Sequence, residues 1–208
     1  MHNAADTPVR PSFHVVGVGA SAGGLEAFTQ LLQRLPPDTG LAFVLIQHLD
    51  RTHPSLLTEA LAKTTTMSVR QVEHGMRPEP NHVYVIAPNT DIAMHDGELA
   101  VSARPSEGLG SHLPVDFFLR SLAAEVGSRA IGVILSGSAS DGTDGLRAIR
   151  EADGITFAQD PRSARFASMP QSAIDAGVVD YTLDLASLAD ELVRLSRHPY
   201  VQPHEPEA

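Results

Sequence analysis

The chain has 208 residues, 42% hydrophobic and 19% charged, which is an ordinary composition for a globular protein of one or two domains. It contains no cysteine, which excludes a disulfide scaffold, a thiol nucleophile and a zinc site built on thiolates. A formal net charge of −10 argues against electrostatically driven binding to nucleic acid or to an anionic membrane. We expect no membrane insertion, because no apolar run approaches roughly 18 residues. We expect a cytoplasmic location, because the N-terminus has no apolar secretory-signal segment.

Short apolar runs alternate with helical patterns along the chain. The apolar runs predict strands at residues 13–18, 41–47, 67–73, 82–87, 130–135, 155–158 and 178–182. The helical patterns predict helices at residues 25–35, 55–62, 115–126, 146–152 and 186–195, with a short helix starting at Pro170. Asp96 and Gly97 predict a type I′ hairpin within residues 92–101, which would form an antiparallel edge. The alternation indicates an α/β fold with a mainly parallel sheet.

The two ends of the chain differ from its middle. Residues 1–12 and 198–208 are proline-rich, polar and aperiodic. We expect a flexible N-terminal tail and a flexible C-terminal tail or linker stub. The intervening residues 13–197 are expected to form the folded domain.

Polar side chains follow three of the predicted strands. Ser21 follows the first, His48 ends the second, and Asp141 lies in the loop after the strand at 130–135. In open parallel sheets, ligands bind at the carboxyl ends of the strands. A serine, a histidine and an aspartate at one sheet edge are the set needed for a nucleophile, a general base and an orienting acid.

The segment around Ser21 matches the pattern G-x-S-x-G between a strand and a helix, the context of a nucleophile elbow. In that arrangement the N–H of Ala22 helps to stabilise an oxyanion. Two alternatives stay open. The glycines at 17, 19 and 23 are also compatible with a dinucleotide-binding turn, with Asp50 placed to bind a ribose. Ser21 is also compatible with a plain helix N-cap.

His48 and Asp141 also have purely structural interpretations. His48 can be a core histidine bonded to the backbone. Metal binding by His48 and His53 is disfavoured, since no HExxH pattern is present and the pair spans a proline-led helix start. Asp141 lies in the run SDGTDG before a helix, where several residues including Asp141 can act as N-cap. That loop has the glycine density of a phosphate cradle but lacks the lysine of a P-loop.

Six motifs in this order resemble the catalytic domain of the bacterial chemotaxis receptor methylesterase, the CheB type. They are VGVGASAGGLEA, FVLIQHL, HVYVIAP, AIGVILSGSASDGTDGL, TFAQDP and SARFASMPQSAI, and the resemblance extends from about residue 14 to residue 195. It implies a doubly wound α/β domain with helices on both faces, which hydrolyses methyl esters on receptor glutamates. Some members also deamidate receptor glutamines.

By motif, the resemblance assigns the nucleophile to Ser21, the base to His48 and the acid to Asp141. The oxyanion-side loop falls on Gly137 and Ser138, and many members have methionine at the position of Ser138.

The resemblance also implies partners and regulation. It implies no metal and no cofactor, and it implies methylated helices of receptors or signalling proteins as substrates. The family usually carries an N-terminal receiver domain, and similar modules occur joined to a methyltransferase module, so linked or separate modules of both kinds are expected partners. A regulatory binding module without turnover is the alternative from another class, and the intact Ser-His-Asp set argues against it.

Overall fold

The structure is a computed structural model that describes residues 11–47, 57–104 and 113–198. Its strands are β1 (Val15–Ala20), β2 (Ala42–Gln47), β3 (Ser68–Gln71), β4 (His82–Val85), β5 (Thr90–His95), β6 (Glu98–Ala103), β7 (Ala130–Ile134), β8 (Ile155–Gln159) and β9 (Tyr181–Leu183). Its helices are α1 (Gly24–Leu32), α2 (Leu57–Ala62), α3 (Pro114–Val126), α4 (Thr143–Glu151), α5 (Ser168–Asp175) and α6 (Leu185–Ser196). A 3₁₀ turn, Gly127–Arg129, leads into β7.

Seven parallel strands form the main sheet, in the order β3-β4-β2-β1-β7-β8-β9. The chain starts at the central β1, builds outward through β2 and β4, and later returns to the other side of β1 as β7. The strand order therefore reverses between β1 and β7. In sheets of this kind, the crevice at the reversal point is where ligands bind. The predicted α/β class with a mainly parallel, doubly wound sheet is confirmed.

Two apolar clusters cover the two faces of the sheet because alternate residues of each strand point to opposite sides. On one face, Val16 and Val18 of β1 pack with residues of α1, α2 and α6. On the other face, Val15 packs with residues of α3, α4 and α5. Both clusters consist of side chains that are almost fully buried. The helices on both faces hold the strand ends in place at the crevice.

Helix α3 packs unusually close to β1 because two strand positions have no side chain. A Cβ atom built on Gly17 would lie 2.5 Å from Leu119 Cδ2. A Cβ atom built on Gly19 would lie 2.3 Å from Val115 Cγ1. Both glycines are inside β1, so they serve helix packing. This position disfavours the dinucleotide-binding interpretation, in which glycines of the turn approach a pyrophosphate.

The predicted hairpin exists, but it forms a two-stranded sheet of its own (β5 and β6) instead of an edge of the main sheet. Asp96 and Gly97 have φ values of 50° and 76°, as a type I′ turn requires. The hairpin is bonded to α3: the N–H of Met94 donates to Ser121 Oγ at 2.9 Å, and that of Gly97 donates to Glu125 Oε1 at 2.9 Å. Contacts with a helix therefore replace pairing with the main sheet.

Among the described residues, no helix is both long and apolar enough to cross a bilayer. The predicted tails lie almost entirely outside the described residues, and so does the predicted start of the second helix before Leu57.

Candidate active site

The turn between β1 and α1 carries Ser21. The N–H of Ser21 donates to the carbonyl of Ser136 at 3.1 Å, and the N–H of Gly24 donates to the carbonyl of Ser21 at 2.9 Å. Gly23 has a φ of 74°, a left-handed conformation that glycine adopts without strain. Ser21 is half-buried at the carboxyl end of the central strand. The strand–turn–helix context of a nucleophile elbow is present.

The capping interpretation of Ser21 is wrong. Helix α1 begins at Gly24, its N-cap residue is Gly23, and no side chain caps it. The short turn places Ser21 two residues before the cap position. The hydroxyl of Ser21 is therefore not used to end the helix.

A second serine, which sequence reasoning did not single out, ties this turn to β7. Ser136 is 1% exposed. Its Oγ donates to the carbonyl of Ala22 at 2.9 Å and accepts from the N–H of Phe166 at 3.0 Å. Its own N–H donates to Gln159 Oε1 at 3.0 Å. The only sequence signal is its position, in the loop directly after a doubly buried strand.

The loop after β7 packs against Ser21. A Cβ atom built on Gly137 would lie 3.1 Å from Ser21 Cβ and 2.4 Å from Met169 Sδ, so only glycine fits this approach. The N–H of Gly137 donates to the carbonyl of Phe166 at 3.0 Å, which occupies that donor. Ser138, the next residue, is exposed. Of the two residues predicted for the oxyanion side of the loop, only Ser138 has its N–H unoccupied within the described chain.

Two backbone donors in the segments that meet at Ser21 have no acceptor among the described residues. No described residue accepts a hydrogen bond from the N–H of Ala22 or of Ser138. The segments that carry them are in direct contact through Ser136 Oγ and Gly137. A pair of such donors next to a nucleophile is the arrangement that stabilises a developing oxyanion.

Asp141 is 3% exposed and lies in the loop between β7 and α4. Its Oδ2 accepts from the N–H of Val115 at 3.1 Å, and its Oδ1 accepts from the N–H of Asp116 at 2.9 Å. The carboxylate thus holds the N-terminus of α3, where its charge is favoured by the helix dipole. The alternative in which Asp141 or a neighbouring residue is the N-cap of α4 is wrong, because the N-cap is Gly142 and no side chain makes a cap hydrogen bond from that position.

Asp116 is a second buried carboxylate at the same place, and sequence reasoning missed it. It is 4% exposed and accepts from the N–H of Gly145 at 2.6 Å. Burial raises the pKa of Asp116 above its ordinary value, and the nearby charges of Asp141 and Asp144 act in the same direction. The hydrogen bond from Gly145 and the charge of Arg120 lower the pKa and so oppose this. The sequence carries no clear signal for it, since an acidic residue is common in the first turn of a helix.

His48, the predicted base, lies outside the described residues, as do Asp50 and His53. The last described residue of β2 is Gln47, which pairs with Ala20 of β1 in the strand register. Gln47 Nε2 donates to the carbonyl of Ser21 at 3.5 Å. The end of β2 is therefore beside the Ser21 turn. Among residues 11–47, 57–104 and 113–198, no three His, Asp or Glu side chains cluster as a metal site requires.

The site is a serine in a strand–turn–helix elbow at the reversal point of a doubly wound parallel sheet. These features define the class of α/β protein in which such a turn presents a serine at the edge of the sheet. Within that class, the chain belongs to the CheB methylesterase family, whose model matches residues 16–192.

Relatives and a solved structure agree with this assignment. A protein-glutamate methylesterase/protein-glutamine glutaminase of Photorhabdus laumondii is 34% identical over 190 residues, which is 89% of this chain and 54% of that protein. A putative protein of the same name from Leptospira interrogans is 31% identical over 195 residues, covering 90% of this chain and 97% of the relative. The crystal structure of the Thermotoga maritima CheB methylesterase catalytic domain matches with a TM-score of 0.81 and 27% identity, over 89% of this chain and 100% of that one. The chain spans about half the length of the Photorhabdus relative, and also of a Bordetella parapertussis protein-glutamate methylesterase/protein-glutamine glutaminase that is 35% identical over 192 residues.

Proposed function

We propose that the chain is a serine hydrolase that removes methyl esters from glutamate side chains of chemotaxis-type receptors, and so takes part in chemosensory adaptation. Family membership supports the reaction class. The observation that carries the proposal is the Ser21 elbow, flanked by the N–H groups of Ala22 and Ser138, which have no acceptor among the described residues.

The proposed reaction uses a triad of Ser21, His48 and Asp141. Ser21 Oγ attacks the ester carbonyl while His48 takes its proton, and the N–H groups of Ala22 and Ser138 bind the oxyanion. His48 then protonates the departing methoxide, which leaves as methanol. Water, activated by His48, hydrolyses the acyl-enzyme and restores Ser21. No metal or cofactor enters these steps.

The surroundings of Asp141 suit the role of orienting acid. Two backbone N–H groups hold its carboxylate in one orientation. A carboxylate has about four acceptor positions, so these two bonds are compatible with a further bond from an imidazole N–H. An acid held in this way keeps His48 in the tautomer that accepts the proton of Ser21.

The same machinery supports glutamine deamidation, since attack on a side-chain carboxamide produces the same acyl-enzyme and releases ammonia. The names of the Photorhabdus and Leptospira relatives include this activity. We propose it as a secondary reaction. We also propose methylated receptor helices as substrates, linked or separate receiver and methyltransferase modules as partners, and a cytoplasmic location.

Methanol release from a methylated receptor fragment tests the proposal. Ser21→Ala should lower the rate by about 10⁶-fold while the circular dichroism spectrum stays unchanged. Ser128→Ala, which changes an exposed serine in the turn before β7, is the matched control and should keep full activity. A fluorophosphonate probe should label Ser21 in the wild-type chain.

Two results would contradict the proposal. Substantial turnover by Ser21→Ala would remove this residue from the nucleophile role. A wild-type chain that binds the methylated fragment but neither releases methanol nor reacts with the probe would instead be a regulatory binding module.

A further inference from the structure

Two buried carboxylates connect helices α3 and α4 in a reciprocal way; we call Asp116 and Asp141 the carboxylate pair. Asp141 lies just before α4, but it holds the first N–H groups of α3. Asp116 is the third residue of α3, but it holds the N–H of Gly145 in the first turn of α4. Asp141, which lies beside α4, therefore fixes the N-terminus of α3. Asp116, which lies in α3, fixes the first turn of α4.

The helix ends are in close contact at this point. A Cβ atom built on Gly145 would lie 2.6 Å from Leu119 Cβ and 3.2 Å from the Cα of Asp116. Since Gly145 has no side chain, the first turn of α4 rests directly on α3. The bond between Asp116 and Gly145 therefore fixes one end of the short segment 141–145, and the bonds of Asp141 fix the other.

Helix capping alone does not require a charged, buried residue at position 116, because asparagine and serine cap as well. Asp116 is surrounded by the negative charges of Asp141 and Asp144, and Arg120 is exposed and already paired with Asp144 at 3.0 Å. A buried carboxylate beside like charges is unfavourable unless its hydrogen bonds are strong. Its N–H partner at 2.6 Å fits a strong, charge-assisted bond.

We propose that Asp116 is a positioning residue for the ester hydrolysis: by holding Gly145, it fixes the segment 141–145 and so keeps the Asp141 carboxylate in its catalytic orientation. This inference rests on the proposed function, in which Asp141 orients the base. Asp116 itself does not contact the substrate. A displacement of about 1 Å in such an arrangement lowers a rate by about 10²-fold.

Three single variants of the full chain test the inference by methanol release. Asp116→Ala should lower kcat by about 10²-fold with KM unchanged, since the substrate still binds. Asp116→Asn should restore kcat in part, because its Oδ1 accepts a bond of the same geometry from Gly145 but without the charge of the carboxylate. Asp184→Ala is the matched control, since Asp184 is also a capping carboxylate but bonds the N–H groups of Ala186 and Ser187 in α6, not α3 or α4. It should leave kcat unchanged.

A double variant separates positioning from general destabilisation. In the Asp141→Ala background, Asp116→Ala should slow the enzyme no further, because Asp116 acts through Asp141. Circular dichroism at the assay temperature shows that each variant is folded.

The inference is overturned if Asp116→Ala keeps the wild-type kcat, if Asp116→Asn is as slow as Asp116→Ala, or if the two substitutions slow the enzyme independently. Failure of the proposed function is distinct, since the wild-type chain would then release no methanol and resist the probe, and the inference would fall with it.

Discussion

Replacing Gly142 with alanine should destabilise the fold strongly, because this residue meets two separate constraints. Its φ of 97° lies in a region that residues with a side chain adopt at a cost of about 1–2 kcal/mol. A Cβ atom here would also lie 2.3 Å from Ile134 Cδ1 and 2.9 Å from Val115 Cγ1. Both neighbours are fully buried, so neither moves freely, and such overpacking costs about 1–3 kcal/mol.

Together, the two effects predict that Gly142→Ala lowers the free energy of unfolding by about 2–5 kcal/mol. The matched control is Gly177→Ala. Gly177 also has a positive φ, 67°, but a Cβ atom there would have nothing within 4 Å. The control should therefore lose only the backbone contribution, about 1–2 kcal/mol.

Urea denaturation, followed by circular dichroism, measures both variants. With a slope of about 3 kcal/mol per M, Gly142→Ala should lower the midpoint by about 1 M and clearly more than the control. If both variants lose the same free energy, the close approach of Ile134 and Val115 imposes no constraint, and the reasoning from packing is refuted.

Two further predictions concern buried polar groups. In Ser136→Ala, the carbonyl of Ala22 and the N–H of Phe166 lose their hydrogen-bond partner. The free energy of unfolding should therefore fall by about 1–3 kcal/mol, and the fluorophosphonate probe should label Ser21 more slowly. An unchanged labelling rate would show that the Ser21 turn does not depend on this hydroxyl. Burial, with a smaller contribution from Arg129, lowers the pKa of His14 below its ordinary value of 6.5. The unfolded chain therefore binds a proton at His14 more readily than the folded chain. The free energy of unfolding should for this reason fall as the pH drops below 6.5. His14→Leu should reduce this loss in urea denaturation between about pH 7 and about pH 5, and an unchanged pH dependence would exclude His14 as its source.

The central strands could be predicted from the sequence because they are buried on both faces and read as continuous apolar runs. The runs at 13–18, 41–47 and 130–135 correspond to β1, β2 and β7, with ends that differ by up to two residues. The predicted strand at 178–182 is displaced, since β9 covers only Tyr181–Leu183. Val178 is apolar because it packs into the cluster beneath α5, not because it pairs in the sheet.

The hairpin shows the limit of local signals. Asp96 and Gly97 determine the turn type from their own conformational preferences, so the turn could be predicted. The surface against which the hairpin packs depends on Ser121 and Glu125, which lie 27 and 28 residues after their partners in the sequence. Local patterns carry no information on such distant partners, so the hairpin itself could be predicted but its separation from the main sheet could not.

The candidate site divides in the same way. The elbow at Ser21 could be predicted because the spacing of small residues around it is local. The hydrogen bonds of Asp141 could not, because their donors at 115 and 116 lie 25 or more residues earlier in the chain. The part played by Ser136 also depends on segments brought together only by folding.

In each case, a functional group is held by an element other than its own. The turn of β1 that carries Ser21 is bonded to the end of β7, and the Asp141 loop after β7 is bonded to the start of α3. α3, in turn, packs directly on β1 through Gly17 and Gly19. The three contacts connect β1 to β7, the loop after β7 to α3, and α3 back to β1. A shift of Ser21 or Asp141 would therefore disturb the packing of α3 on β1. In the proposed reaction, groups held rigidly in this way stabilise the transition state without a prior rearrangement of the site. Substitutions that loosen the contact between α3 and β1 should therefore reduce activity even where they touch neither residue.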